Sequence, residues 1–194
     1  SSPRKRALSP SPGRLTPKRY RATRAMSRPS LVSPLANSAV LFDSPPAWPL
    51  HVFQPGADAS VQISPSQLLR VPKQHCTILA FFDGCDDLHV RAAASLSGFH
   101  GAVVYAVAVS PPASRNDLTI PLLFDPRAAL THHARATHPL GGGLVPMPIL
   151  LVLDHRLRRR SFLPVGCGRQ TTRPLSIDDI KYVLEDIIKY IHHE

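Results

Sequence analysis

Pro148 stands directly before five consecutive apolar residues, Ile149-Leu150-Leu151-Val152-Leu153, and the run ends at Asp154. So short a run, without polar alternation, reads as a strand buried on both faces. Proline cannot donate to a sheet ladder, so Pro148 belongs at the strand's first position. Basic, turn-like sequence from His155 to Arg160 closes the other end.

The remaining elements are read in chain order. Residues 61–63 alternate like a short strand. Ser64 and Pro65 then suit the N-cap and first position of a helical turn. Residues 76–82 form a central apolar strand, and Asp83-Gly84-Cys85-Asp86 makes the turn after it. A helix is expected from Asp86 to about Ser97, with Leu88, Ala92 and Leu96 on one face. Residues 102–109 are a second central strand, ended by Pro111-Pro112. A helix over about 127–137 and a hairpin return over 161–165 follow. Ser176 then caps an amphipathic helix whose stripe is Ile177, Ile180, Leu184, Ile187, Ile188 and Ile191, and Ser176 with Asp179 approximates a capping box.

Charge divides the chain. Residues 1–30 hold nine of its 23 Lys and Arg and none of its 13 acids. The high pI of 10.3 therefore describes a tail, since the rest is near neutral. Residues 1–45 are rich in Ser, Pro and Arg and lack hydrophobic periodicity, which predicts a disordered tail. Residues 46–194 are then one domain, beginning after the stiff Pro45-Pro46-Ala47-Trp48-Pro49 boundary. No apolar run approaches the roughly 18 residues of a membrane helix, so no membrane contact is expected. The odd cysteine count, with no CxxC, argues against a disulfide scaffold and a zinc site and favours a reducing compartment.

Within the tail, Ser2, Ser11 and Thr16 each precede proline, with a basic residue two places further on. This resembles the site preferred by proline-directed cyclin-dependent kinases. Arg4-Lys5-Arg6 and Lys18-Arg19-Tyr20-Arg21 resemble nuclear-import clusters. The expected address is nuclear. The alternatives are cytoplasmic and mitochondrial, and the many prolines spoil the helix of a presequence. Each phosphate would add roughly −1.5 to −2 charge and weaken any nonspecific nucleic-acid contact.

The strand from Pro148 to Asp154 with its basic hairpin resembles the cis-proline strand of thioredoxin-fold proteins. The order strand, helix, strand, helix, strand, strand, helix is that of the same fold. "T-I-P-L-L-F-D-P" over 119–126 is similar to a segment of peroxiredoxins, the alkyl hydroperoxide reductase/thiol-specific antioxidant family, and "Q-I-S-P-S-Q-L-L" over 62–69 is similar to their N-terminal element. The resemblance spans about 140 residues. It implies an α/β three-layer sandwich, a mixed central sheet flanked by helices, and a cis bond between Met147 and Pro148.

It also implies where chemistry would lie, at the junction of the first central strand and its helix. Cys85 is the cysteine there, and Cys167, between Gly166 and Gly168, is the candidate resolver. Two features of the family's site are missing. The turn is too short for its Pro-x-x-x-Thr/Ser-x-x-Cys loop, and its strand arginine corresponds to Pro148 here. Asp83, Asp86 and Asp87 crowd Cys85 and disfavour a thiolate, whereas a helix N-terminus favours one. Cys76 opens an apolar strand and reads as core. His132, His133, His138 and His155 lack ligand spacing and read as solvated. Arg156, Arg158, Arg159 and Arg160 read as solvated turn charge. Gly141-Gly142-Gly143 follows no strand and lacks the lysine of a phosphate loop. No metal and no cofactor are expected.

Two function classes stand open. One is a peroxiredoxin-like domain of lost or reduced peroxidase activity, acting as a nuclear binding or regulatory module for a protein partner. The other is a thiol peroxidase or thiol-disulfide oxidoreductase using Cys85, served by a reducing thiol protein.

Overall fold

The computed structural model describes residues 27–42, 48–83, 87–110, 117–165 and 176–194. Its strands are β1 (Leu50–Phe53), β2 (Ser60–Ile63), β3 (Cys76–Phe81), β4 (Val103–Ala108), β5 (Leu122–Phe124), β6 (Ile149–Asp154) and β7 (Arg159–Pro164). The helices are α1 (Pro65–Leu68), α2 (Leu88–Ala94), α3 (Ala129–His133) and α4 (Ile177–His193). The strands form a single mixed sheet in the order β2-β1-β5-β4-β3-β6-β7. β4 runs parallel to β3 and β5, while β6 lies antiparallel between β3 and β7.

Every residue of β3 and β6 is buried, as the unbroken apolar runs predict. Period-two alternation splits them between two cores. Ile78, Ala80, Leu150 and Val152 face a core shared with α2 and α4. Leu79, Phe81, Ile149, Leu151 and Leu153 face a second core with Leu130 and Ala134. Five of the six expected stripe residues of α4 are buried, and Ile177 is exposed. The capping box forms: Ser176 Oγ accepts from the Asp179 N–H at 3.1 Å, and Asp179 accepts from the Ser176 N–H at 3.1 Å.

Four expectations change. The Met147–Pro148 bond is trans, since the described residues hold no cis peptide. Met147 N–H donates to the Ala136 carbonyl and the Pro148 carbonyl accepts from Val165 N–H at 2.8 Å. Both contacts draw this segment into extended pairing, where the ordinary trans bond suffices. The helix expected over 127–137 contracts to Ala129–His133, because Ala128 (φ 52°) and Arg135 (φ 57°) adopt left-handed conformations at its ends. Asp125 holds that helix, accepting from Ala129 N–H at 2.9 Å and Thr131 N–H at 3.0 Å.

The third change concerns residues 27–42, which fall inside the expected tail yet lie along the domain. Ser33 N–H donates to the Arg160 carbonyl at 2.7 Å, the Ala39 carbonyl accepts from Arg159 N–H at 2.8 Å, and the Leu157 carbonyl accepts from Leu41 N–H at 2.7 Å. Val32 packs into the core under α4, and Leu41 and Phe42 pack into the other core, so the arm wraps around the β7 edge. Each such side chain contributes about 1.5–3 kcal/mol on full burial, enough to order a segment that carries no periodicity. Residues 1–26, which include Ser2, Ser11, Thr16 and both import clusters, lie outside the described residues.

Arg160 is not turn charge. Its side chain is 1% exposed. Its Nε donates to the Ser33 carbonyl at 3.1 Å, one Nη pairs with Glu194 at the end of α4, and the other stands 3.8 Å from Asp154 Oδ2. Asp154 Oδ1 in turn accepts from the Arg156 and Arg158 N–H groups and shapes the hairpin. Arg160→Met leaves Asp154 buried without its cation, so it is expected to cost about 3–5 kcal/mol in urea unfolding. A loss below about 1 kcal/mol would show that the guanidinium is dispensable.

Cys76 is 1% exposed, and burial pushes its thiol from 9.0 up to about 12. A raised folded value means stability that is complete below pH 9 and falls as pH rises towards 12, by up to about 4 kcal/mol. Unfolding followed from pH 8 to 11 is expected to show this decline in wild type and a shallower one in Cys76→Ala. Parallel slopes would remove Cys76 as the cause.

Candidate functional site at the end of strand β3

β3 leaves the sheet at Phe81, and α2 begins at Leu88 behind the N-cap Asp87. The turn expected to carry chemistry lies between them. Of it, Cys85 with Gly84 and Asp86 lies outside the described residues, as does Cys167. The frame around both is described. Phe81 pairs with Ile149, and Ile149 pairs with Pro164. These three residues stand in one row across three adjacent strands, about 5 Å apart per strand. The segment after β3 and the segment after β7 therefore leave the sheet at the same end. Cys85 comes two residues after Asp83 and Cys167 two residues after Val165.

Pro148 precedes Ile149 at this same end and contributes neither charge nor an N–H donor there. Asp87 is engaged by Arg91 one helical turn on, at 3.1 Å. That exposed i,i+4 pair is worth a few tenths of a kcal/mol, so it tempers the local negative charge without abolishing it.

The sequence reading missed His89. It is 2% exposed, and its Nε2 lies 2.7 Å from the Phe81 carbonyl. A carbonyl accepts only, so Nε2 carries the proton and donates. The bond pins α2 against the last residue of β3 and fixes the two ends of the Cys85 turn relative to each other. A polar residue two places after an N-cap aspartate gives no such signal in sequence.

The other candidates are dispersed. His133 packs against Phe42 and Trp48, with ring centres 5.2 and 6.1 Å away. His138 Nδ1 accepts from Leu140 N–H at 3.1 Å, and His155 lies at the β6–β7 hairpin. Arg156 and Arg158 border a cleft of about 270 Å³ with Lys73, Arg160 and Glu194. Cys76 lies in the core with its thiol held protonated, which leaves it inert at neutral pH. Among the described residues no helix is long and apolar enough to cross a membrane.

No protein-family model matches the sequence, and no curated protein matches it. Solved structures do. A reduced 2-Cys peroxiredoxin from Plasmodium vivax superposes with a TM-score of 0.54 at 14% identity, covering 85% of this chain and 83% of its own. A mutant PrxQ from Xylella fastidiosa gives 0.53 at 16% identity, covering 80% and 95%. AhpC from Mycobacterium tuberculosis gives 0.51 at 18% identity, covering 76% and 93%. At such identities the likeness is one of architecture: the chain has a thioredoxin-type fold of the peroxiredoxin kind.

Proposed function

We propose that this protein is a thiol-based regulatory module of the peroxiredoxin fold, with low peroxide reactivity. Cys85 is its nucleophile, and Cys167 is the thiol that resolves it. The row Phe81–Ile149–Pro164 supports the reading, because the strands that precede the two cysteines in sequence finish at the same end of the sheet. In this chemistry the Cys85 thiolate attacks a peroxide oxygen, is oxidised to a sulfenic acid and releases water or alcohol. The Cys167 thiol then displaces water and forms a disulfide. Reduction by an external thiol protein restores both.

Low reactivity follows from the surroundings. Pro148 supplies no cation beside the turn, and Asp83, Asp86 and Asp87 oppose the thiolate. At each such site a carboxylate favours the neutral thiol, so oxidation is slow and suits a regulatory disulfide better than peroxide clearance. The basic tail gives the module its address. In this reading Arg4-Lys5-Arg6 and Lys18-Arg19-Tyr20-Arg21 direct it to the nucleus, and proline-directed phosphorylation at Ser2, Ser11 and Thr16 weakens that basic charge.

Dilute peroxide followed by mass spectrometry tests the site. The expected product is an intramolecular Cys85–Cys167 disulfide, formed no faster than a model thiol is oxidised. Cys167→Ser should instead accumulate a trappable Cys85 sulfenic acid, and Cys85→Ser should form neither. Absence of the disulfide in wild type would leave a redox-inert binding domain, and oxidation far faster than a model thiol would make it an efficient peroxidase. Removal of residues 1–26 is expected to leave the unfolding midpoint unchanged and to abolish nuclear enrichment of a fluorescent fusion. A truncated fusion still concentrated in the nucleus would place the address elsewhere.

A further inference from the structure

The β6–β7 hairpin borders a cleft of about 270 Å³. It lies at the opposite end of β3 from the Cys85 turn, since Asp154 pairs with Cys76 and Ile149 with Phe81. Lys73 stands in one wall, Arg156 and Arg158 in another, and Leu35 and Ile191 add apolar surface. With Arg160, four cationic side chains face the two carboxylate side chains of Asp154 and Glu194, a net charge of +2. Both carboxylates are already engaged. Arg160 pairs with Glu194 and stands 3.8 Å from Asp154 Oδ2, and Asp154 Oδ1 accepts from two backbone N–H groups of the hairpin. Among the described residues neither Lys73 nor Arg156 has a carboxylate partner. We propose that this cleft binds a small phosphomonoester, with its phosphate on Lys73, Arg156 and Arg158 and its body against Leu35 and Ile191.

The walls are fixed without a ligand. Arg156 and Arg158 N–H donate to Asp154 Oδ1 at 2.9 and 3.0 Å. Leu157 between them is buried at φ 59°, and its carbonyl accepts from Leu41 N–H at 2.7 Å. The two arginines therefore depart from an anchored turn. Arg158 Nη1 donates to the Leu35 carbonyl at 3.2 Å, which holds the guanidinium at the cleft while its other N–H groups stay available. In the facing wall, His75 N–H donates to the Pro72 carbonyl at 3.1 Å and closes a turn with Lys73 and Gln74 at its centre. His192 Nδ1 lies 3.2 Å from the Gln74 carbonyl and, since a carbonyl only accepts, donates to it, tying that turn to α4. A ligand then orders only the ends of side chains, which keeps the entropic cost of binding low.

The chemistry of the cations selects the ligand. A phosphomonoester carries roughly −1.5 to −2 charge near neutrality and three acceptor oxygens, enough to meet an ammonium and two guanidinium forks together. A lone carboxylate brings one charge and two oxygens and leaves part of the set unanswered. Pockets for drug-sized ligands run from about 300 to 1,000 Å³, so this cleft suits a smaller body. Bare phosphate would leave Leu35 and Ile191 uncovered, and an extended peptide needs a longer groove.

Calorimetric titration of the full chain with phenyl phosphate tests the site, with inorganic phosphate, phenol and a phosphoserine tetrapeptide as comparisons. The expected result is one phenyl phosphate per chain, bound more tightly than inorganic phosphate or the peptide, and no phenol. Lys73 and Arg156 are exposed, so Lys73→Gln and Arg156→Gln should keep the wild-type unfolding midpoint. Each should weaken binding about 5-fold or more. Lys18→Gln in the basic tail and Cys85→Ser should leave it unchanged, which separates this site from tail charge and from the redox reading. No bound phenyl phosphate, undiminished binding in Lys73→Gln and Arg156→Gln, an equal loss in Lys18→Gln, or tighter binding of the peptide would overturn the assignment.

Discussion

The structure depends on β3 being buried on both faces and both edges. β4 and β6 take its backbone groups, and its side chains alternate between two cores. A strand so placed cannot face water anywhere, so the chain must supply cover on each side of the sheet. α2 and α4 provide it on one side. On the other, α3 is only one and a half turns long, and Leu41 and Phe42 from the N-terminal arm complete what the helix leaves open.

That requirement explains why a guanidinium stands in the interior. The arm, the β6–β7 hairpin and the end of α4 all meet at Arg160. A buried ion pair of this kind is weak evidence for stability, since desolvation offsets much of the attraction. Its value is positional: five donors on a rigid fork can hold three segments at one point. Fixing the hairpin also fixes Pro164 opposite Ile149, at the end of β7.

The parts legible in sequence were those whose physics is local. The apolar runs of β3, β4 and β6 and the stripe of α4 announced buried strands and an amphipathic helix. β1 escaped notice because Leu50-His51-Val52-Phe53 is short and only half-buried, and its place is set by pairing with β2 and β5. The length of α3 was hidden because left-handed residues such as Ala128 and Arg135 are chosen by tertiary contacts, not by propensity. Arg160 and His89 look like surface residues until the sheet closes around them. The likeness of residues 119–126 to the peroxiredoxin segment proved a sound guide to architecture, whereas the cis bond expected at Pro148 did not follow, because pairing with Ala136 and Val165 keeps that stretch extended.

The arm that crosses the outer edge of β7 has a consequence for assembly. An open outer strand offers unpaired amides and carbonyls to any other extended chain. Here residues 33–41 occupy those groups along Leu157–Arg160, while Phe162 at the further half remains 39% exposed. The β7 edge is thus closed to intruding strands along Leu157–Arg160. Cleavage before residue 27 would preserve that closure. Loss of the chain through Phe42 would uncover the margin and unroof one core together, converting a protected boundary into a templating surface for aggregation.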